Sequence, residues 1–272
     1  MHGAASPEYV AARRVLLDAL EALREQRGAI ILVGAQAIYL HTGQAEFAVA
    51  EYTTDGDIAL DPKRLHANPK LEEAMTGAGF VRDLQQPGTW RGRGDVGIDL
   101  LVPETLGGAG RRGARLGVHG SRVARKARGL EAALVDRAPR AITSLEDQDS
   151  RRAEVMVAGP AALLVAKLHK IAERRDSPGR LGDKDALDAF RVLRAISTEE
   201  LGIGLHLLLG DIQSREVTLD AIGYLSELFG APGGLGCRMA ARALEPLEDS
   251  AGITAACVAL ADDLLAKVGE VS

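Results

Sequence analysis

Residues Ile30–Asp61, IILVGAQAIYLHTGQAEFAVAEYTTDGDIALD, decide how this chain is read. The run opens on Ile30-Ile31-Leu32-Val33, a short buried strand by its apolar character, and Gly34 breaks it. Ala35–His41 reads as a helix ended near Gly43, and Thr53-Thr54-Asp55-Gly56-Asp57-Ile58-Ala59-Leu60 as a second strand. Side chains two apart on a strand share a face, so Asp55 and Asp57 present their carboxylates side by side. Such a pair repels itself unless a cation lies between the two acids. Hard oxygen donors suit Mg²⁺ (or Mn²⁺), which takes one or two carboxylates and leaves its other positions to water and substrate phosphate. A glycine between strand and helix either sets helix N-terminal amides against a phosphate or makes a plain tight turn, and both readings stand for Gly34.

On the N-terminal side, residues 7–27 read as an amphipathic scaffold helix with Val10, Leu16, Leu17, Leu20 and Leu23 near one face, Pro7 in its first turn and Gly28 at its end. On the C-terminal side, Leu65–Gly77 reads as a helix, Phe80–Leu84 as a strand and Gln86–Gly94 as a hairpin-like loop around Trp90. Asp95–Val102 is a strand with one acid, Asp99, inside an apolar run. A buried unpaired carboxylate costs several kcal/mol, so Asp99 either faces water on an edge strand or serves a site. Beside Asp55 and Asp57 it completes an acidic triad in which two acids hold metal and the third shares a metal and draws a proton from an attacking hydroxyl.

The 272-residue chain is 46% apolar, ample for a core in one large domain or two ordinary ones. No uncharged apolar run of ~20 residues occurs and the N-terminus lacks the apolar stretch of a secretory signal, so no membrane span is expected and the expected location is the cytoplasm. Cys237 and Cys257, with no CxxC pair, read as buried reduced thiols. The net charge of −5 argues against a general nucleic-acid coat. Its distribution is uneven: Leu106–Leu130 holds Arg111, Arg112, Arg115, Arg122, Arg125, Lys126 and Arg128 with no acid at all, so it carries +7 while the rest of the chain carries −12 (−5 minus 7). That stretch reads as an electrostatic platform for RNA or nucleotide phosphates, or as a solvated loop; it has no aromatic residue to stack bases.

A glycine after a strand, a helix, two alternating acids on a second strand and one acid on a third resembles the polymerase-beta-type nucleotidyltransferase fold. The segment Leu163–Ile171 (LLVAKLHKI), followed by Asp183-Lys184-Asp185-Ala186-Leu187-Asp188, is similar to the paired motifs of AbiEii/MenT-like nucleotidyltransferase toxins. The resemblance runs over roughly residues 28–195. It implies an NTP substrate approached by Gly34 and its neighbours Ala35 and Gln36, metal ligation by Asp55, Asp57 and Asp99, and catalytic roles for Lys167 and Asp185. Ala35 stands where the family has a second Gly or Ser, and Gly56 where a β-branched residue is usual. Lys167, Lys170 and Arg174 fall at i, i+3 and i+7 of one helix, a basic ridge able to neutralise triphosphate or simply a solvated face. His169 reads as a helix-surface residue and Asp188 as a surface acid.

Beyond Ile196 come four helical patterns, Glu199–Leu209, Leu219–Phe229, Leu235–Leu247 and Ile253–Val268, with no catalytic pattern among them. The expected architecture is an α/β (α+β) nucleotidyltransferase core with a mixed β-sheet over 1–195 and a helical C-terminal domain over 196–272. The expected reaction transfers NMP from NTP to an acceptor hydroxyl on RNA, a tRNA 3′ end, or protein, with a toxin–antitoxin setting and an antitoxin protein as partner implied by the resemblance. The alternative is a binding module on the same fold that acts through RNA or a protein partner.

Overall fold

The computed structural model describes residues 5–43, 52–175, 182–245 and 247–270. It divides into two compact units: residues 1–37, 50–127 and 137–158 in the first, and residues 38–49, 128–136 and 159–272 in the second. Along the chain, the last changeover between the two units falls between Ala158 and Gly159.

The first unit is a mixed sheet with helices. Helix α1 (Pro7–Ala22) starts at Ser6, whose side chain accepts from the Tyr9 amide, and passes at Leu23 into a 3-10 turn, Arg24–Ala29. The expected single helix thus ends a turn and a half early. Eight strands follow among the described residues: β1 (Ile30–Val33), β2 (Asp55–Leu60), β3 (Val81–Arg82), β4 (Thr89–Arg91), β5 (Gly97–Pro103), β6 (Arg125–Ala127), β7 (Arg137–Thr143) and β8 (Arg152–Ala158). They are ordered β3-β4-β5-β2-β1-β8-β7, with β6 also paired to β5. β2 runs antiparallel to β1 and parallel to β5, and β1 runs parallel to β8. β1 is buried along its whole length, as its unbroken apolar run requires.

Three local readings change. Helix α3 is only Leu71–Gly77, because Pro62–Arg64 is a 3-10 turn and Pro69 ends any continuous helical run before it. Trp90 is in a strand, fully buried, and donates from Nε1 to the Val123 carbonyl at 3.0 Å; burial of the large ring, not the flanking Gly and Gln residues, decides this segment. The β7–β8 hairpin has no counterpart in the sequence reading. Its edge strand β7 carries Arg137, Pro139 and Arg140 among mostly exposed positions, which hides the apolar alternation and protects the edge.

Helix α2 (Gly34–Thr42) leads from the first unit into the second. The second unit holds α4 (Pro160–Arg174), α5 (Asp183–Ala195), α6 (Thr198–Gly210), α7 (Arg215–Phe229), α8 (Leu235–Leu244) and α9 (Ser250–Gly269). α5 packs on α4 and α8, and α9 packs on α6, α7 and α8. Asp136 caps α4, accepting from the Ala162 amide at 3.0 Å. Gly159 makes room for that carboxylate, since a Cβ there would lie 1.9 Å from Asp136 Oδ1. Cys237 and Cys257 are buried free thiols in α8 and α9, as expected. No helix among the described residues is long and apolar enough to cross a membrane.

Candidate active site

The register of the sheet assembles the acids of the first unit. Asp57 is paired with Asp99 across β2 and β5, and Asp55 with Gly97. Directly paired residues point to the same face, so Asp55, Asp57 and Asp99 share one side of the sheet, with no side chain at Gly97 to crowd Asp55. All three are partly exposed. Gly56 points to the other face, where a Cβ would meet Ile98 Cδ1 at 2.9 Å and the Leu16 side chain of α1 at 3.4 Å. The missing β-branched residue therefore lets α1 pack closely behind the acids.

Gly34 is a geometric requirement. Its φ is +70°, and a Cβ would fall 2.0 Å from Asp57 Oδ2. Since Val33 pairs with Asp57, the first residue of α2 lies directly against that carboxylate. Here the backbone is read as a close-approach glycine at the acid site.

The other two predicted neighbours behave differently. Ala35 is buried. Gln36 is 1% exposed and spends its side chain internally, Oε1 accepting from Arg13 Nε at 2.8 Å and Nε2 donating to the Asp55 carbonyl at 3.0 Å. The Gln36 side-chain amide thus ties Arg13 of α1 to the backbone of β2. Arg13 is buried too, and its guanidinium also donates to the Thr143 carbonyl at 3.0 Å and the Tyr9 hydroxyl at 2.7 Å. Thr53 donates to Asp55 Oδ1 at 2.8 Å.

Asp99 is engaged at both oxygens: Thr89 Oγ1 donates to Oδ1 at 2.6 Å and Arg125 to Oδ2 at 2.5 Å. Among the described residues, no group of three or more His, Cys, Asp or Glu closes into a metal-holding cluster. The donor set nevertheless fits a hard divalent cation at Asp55 and Asp57, because two carboxylates on one strand face are the protein share that Mg²⁺ usually takes. Asp99 does not join them in this arrangement.

The basic stretch is largely folded rather than an open loop. Arg112–Ala114 runs back along β6, with Lys126 N bonded to Arg112 O at 2.8 Å and Ala114 N to Ala124 O at 2.9 Å. Arg125 serves Asp99, Arg122 donates to the Leu84 carbonyl and Lys126 to the Gly108 and Gly110 carbonyls. In the second unit Arg128 pairs with Glu216 and Asp220, each at 2.8 Å. The exposed part of the platform is Arg111, Arg112, Arg115 and Arg122, the last with its guanidinium on the Leu84 carbonyl.

In the second unit, Lys167 is 6% exposed and its Nζ lies 2.8 Å from Asp185 Oδ1 and 2.7 Å from Asp188 Oδ2. Lys170 and Arg174 reach the same Asp185, at 2.9 and 3.4 Å. Burial works against charge on Lys167, and attraction to Asp185 and then Asp188 overcomes it, raising its pKa. Burial likewise raises Asp185, and Lys167 and Lys170 more than reverse that, holding it well below the usual carboxylate range. The ridge of Lys167, Lys170 and Arg174 is thus directed at Asp185. Asp188 is fully buried, not a surface acid, because it completes the pair with Lys167. His169 is also buried, not at the surface, with Nε2 2.7 Å from the Val217 carbonyl and its ring edge-on to Tyr224.

The contacts of Arg13, Thr53, Thr89 and Arg125 with the site escaped the sequence reading, which places Arg125 only in the basic stretch. Arg13 left a signal, a charge within the buried stripe Tyr9, Ala12, Leu16 and Leu20 of α1; Thr89 and Arg125 left none, because only the pairing of β4 and β6 along β5 brings them to Asp99.

Fold and site together define an α/β core that offers a hard-oxygen donor set on a partly open sheet face, beside the start of a helix. The chain belongs to the nucleotidyltransferase family: the family model described as Nucleotidyltransferase matches residues 13–206. No curated protein and no solved structure matches it.

Proposed function

We propose that this protein is a metal-dependent nucleotidyltransferase that moves NMP from an NTP to an acceptor hydroxyl, of the AbiEii/MenT-like kind, acting in the cytoplasm. The observation that carries the reading is the pair Asp55 and Asp57 on one strand face, with Gly34 held at positive φ against Asp57. Asp55 and Asp57 would hold Mg²⁺ or Mn²⁺, which supplies Lewis-acid stabilisation of charge on the phosphates. Gly34 lets backbone, not side chain, border the site. The acceptor oxygen attacks the α-phosphorus, the bond to the bridging oxygen of the β-phosphate breaks, pyrophosphate leaves, and Asp99 takes the hydroxyl proton. Phosphoryl transfer depends mostly on positioning and charge neutralisation, which suits so sparse a set of groups. Lys167 and Asp185 serve by fixing α4 to α5.

The favoured acceptor is RNA, a tRNA 3′ end included, on the strength of Arg111, Arg112 and Arg115 exposed in a stretch without acids. A protein hydroxyl is the second candidate, and an antitoxin protein the expected regulator. Incubation with each labelled NTP, Mg²⁺ and total RNA tests the proposal; label should enter RNA in an Asp57-dependent way. Binding of NTP with no transfer to RNA or protein would favour the other reading, a binding module. The engagement of both Asp99 oxygens by Thr89 and Arg125 is what supports that second reading.

A further inference from the structure

Asp57 and Asp99 are register partners on neighbouring strands, about 4.8 Å apart along the hydrogen-bonding direction. Two ionised carboxylates so placed repel each other, and something positive has to relieve them. In this structure the Arg125 guanidinium is at Asp99 Oδ2, 2.5 Å away, while Thr89 takes Oδ1. The position of Arg125 is set by the backbone. β4 pairs with the start of β5 and β6 with its end, on the same edge, so Arg125 enters the sheet immediately after β4 leaves it. Gly88 permits the abutment, since a Cβ there would lie 2.5 Å from the Arg125 amide nitrogen.

We propose that Arg125 competes with a divalent cation for the Asp99 carboxylate and thereby sets the metal affinity of the acid cluster. This inference rests on the reading of Asp55 and Asp57 as metal ligands. Both partners retain solvent access, with side-chain exposures of 31% for Arg125 and 19% for Asp99. A pair with that much water around it is held weakly enough to exchange. Arg125 keeps Asp99 oriented and neutralised while no metal is present, and it must withdraw before Asp99 can join Asp55 and Asp57 around a shared ion. The arginine is then a positioning residue whose removal helps metal binding, the opposite of what a phosphate-binding or merely structural arginine would do.

The test is Mn²⁺ titration of the full-length protein, followed by the electron paramagnetic resonance of free Mn²⁺, on wild type, Arg125→Gln, Arg125→Lys, Asp99→Asn, Asp57→Asn and the Arg125→Gln/Asp99→Asn pair. Arg125→Gln should tighten Mn²⁺ binding by about 3- to 10-fold, and Arg125→Lys by less. In the Asp99→Asn background the Arg125→Gln gain should vanish, because the competition no longer exists. A gain that persists there is general electrostatics and overturns the proposal, as does unchanged or weaker Mn²⁺ binding in Arg125→Gln. If that variant fails to fold, Arg125→Lys decides by the same criteria. Wild-type Mn²⁺ binding that does not depend on Asp57 would instead defeat the metal-site reading itself.

Discussion

Asp55 and Asp57 sit two apart on a strand, and Asp185 and Asp188 sit three apart on a helix; each spacing places two carboxylates on one face. What surrounds them differs. On the sheet, a third acid, Asp99, lies opposite Asp57, and Arg125 pairs with Asp99. In the helical unit, Asp185 and Asp188 meet Lys167, with Lys170 and Arg174 also on Asp185. The first group has an excess of acid on a partly open face and is suited to recruiting a cation. The second has an excess of base around buried carboxylates, and its acids are already paired with cations. Acid spacing alone does not mark a metal site; the local balance of charge and access does.

The largest effect that would break this contrast is at Lys167. Lys167→Met strands two carboxylates in the interior and should cost about 3–5 kcal/mol of unfolding free energy in urea titration. Adding Asp185→Asn and Asp188→Asn should recover much of the loss. Unchanged stability with abolished transfer would instead put Lys167 on substrate phosphate. The sheet group should respond in the opposite sense. Asp57→Asn should lower NMP transfer by about 10²-fold or more, roughly 2.7 kcal/mol of barrier, with stability held or slightly raised as repulsion is relieved. A drop in stability as large as that of Lys167→Met would mean that Asp57 too is a structural ion-pair member.

A smaller effect sharpens the sheet side. Gly34→Ala forces a side chain into positive φ and onto Asp57, and should cost about 1–3 kcal/mol and lose Mn²⁺ binding. Gly97→Ala is its control: a Cβ there meets only ordinary contacts at 3.7 Å, so stability should change by less than about 1 kcal/mol. Equal effects at the two glycines would remove the special status of the strand-to-helix junction.

What could be read from the sequence followed periodicity. β1, α2, β2, β5 and the helices of the second unit show their own patterns, because each buries a face that its residues announce. The acids, and Gly34 between strand and helix, were legible for the same reason. Partnerships across strands were not: Thr89, Arg125 and Asp99 are brought together by β4 and β6 sharing one edge of β5, a fact of pairing that no local run encodes. Lys167 and Asp185 stood out in the sequence, but their burial did not, since a charged helical face looks the same whether its counterions are water or buried aspartates. His169 was misjudged on the same ground.

His169 supplies the smallest and last comparison. Burial lowers its pKa, outweighing the hydrogen bond with the Val217 carbonyl that raises it; nearby Arg128 lowers it further, while Asp220 and Glu131 pull it up. The ring is therefore neutral in the folded helical unit at pH values where the unfolded chain already binds a proton, below about 6.5. Because the unfolded state then holds more protons, stability rises with pH through this window and is lost as pH falls from the unfolded value toward the folded one. Asp185, depressed by Lys167 and Lys170, contributes a second loss only at lower pH, below about 3.9, where its unfolded counterpart protonates. Urea midpoints measured from pH 7.5 to 5 should decline for wild type, and His169→Gln, which keeps an N–H donor without a titrating ring, should flatten that decline. A flat wild-type profile over this range would mean that His169 is free to protonate in the folded protein, and that its burial beside Val217 and Tyr224 does not hold the ring neutral.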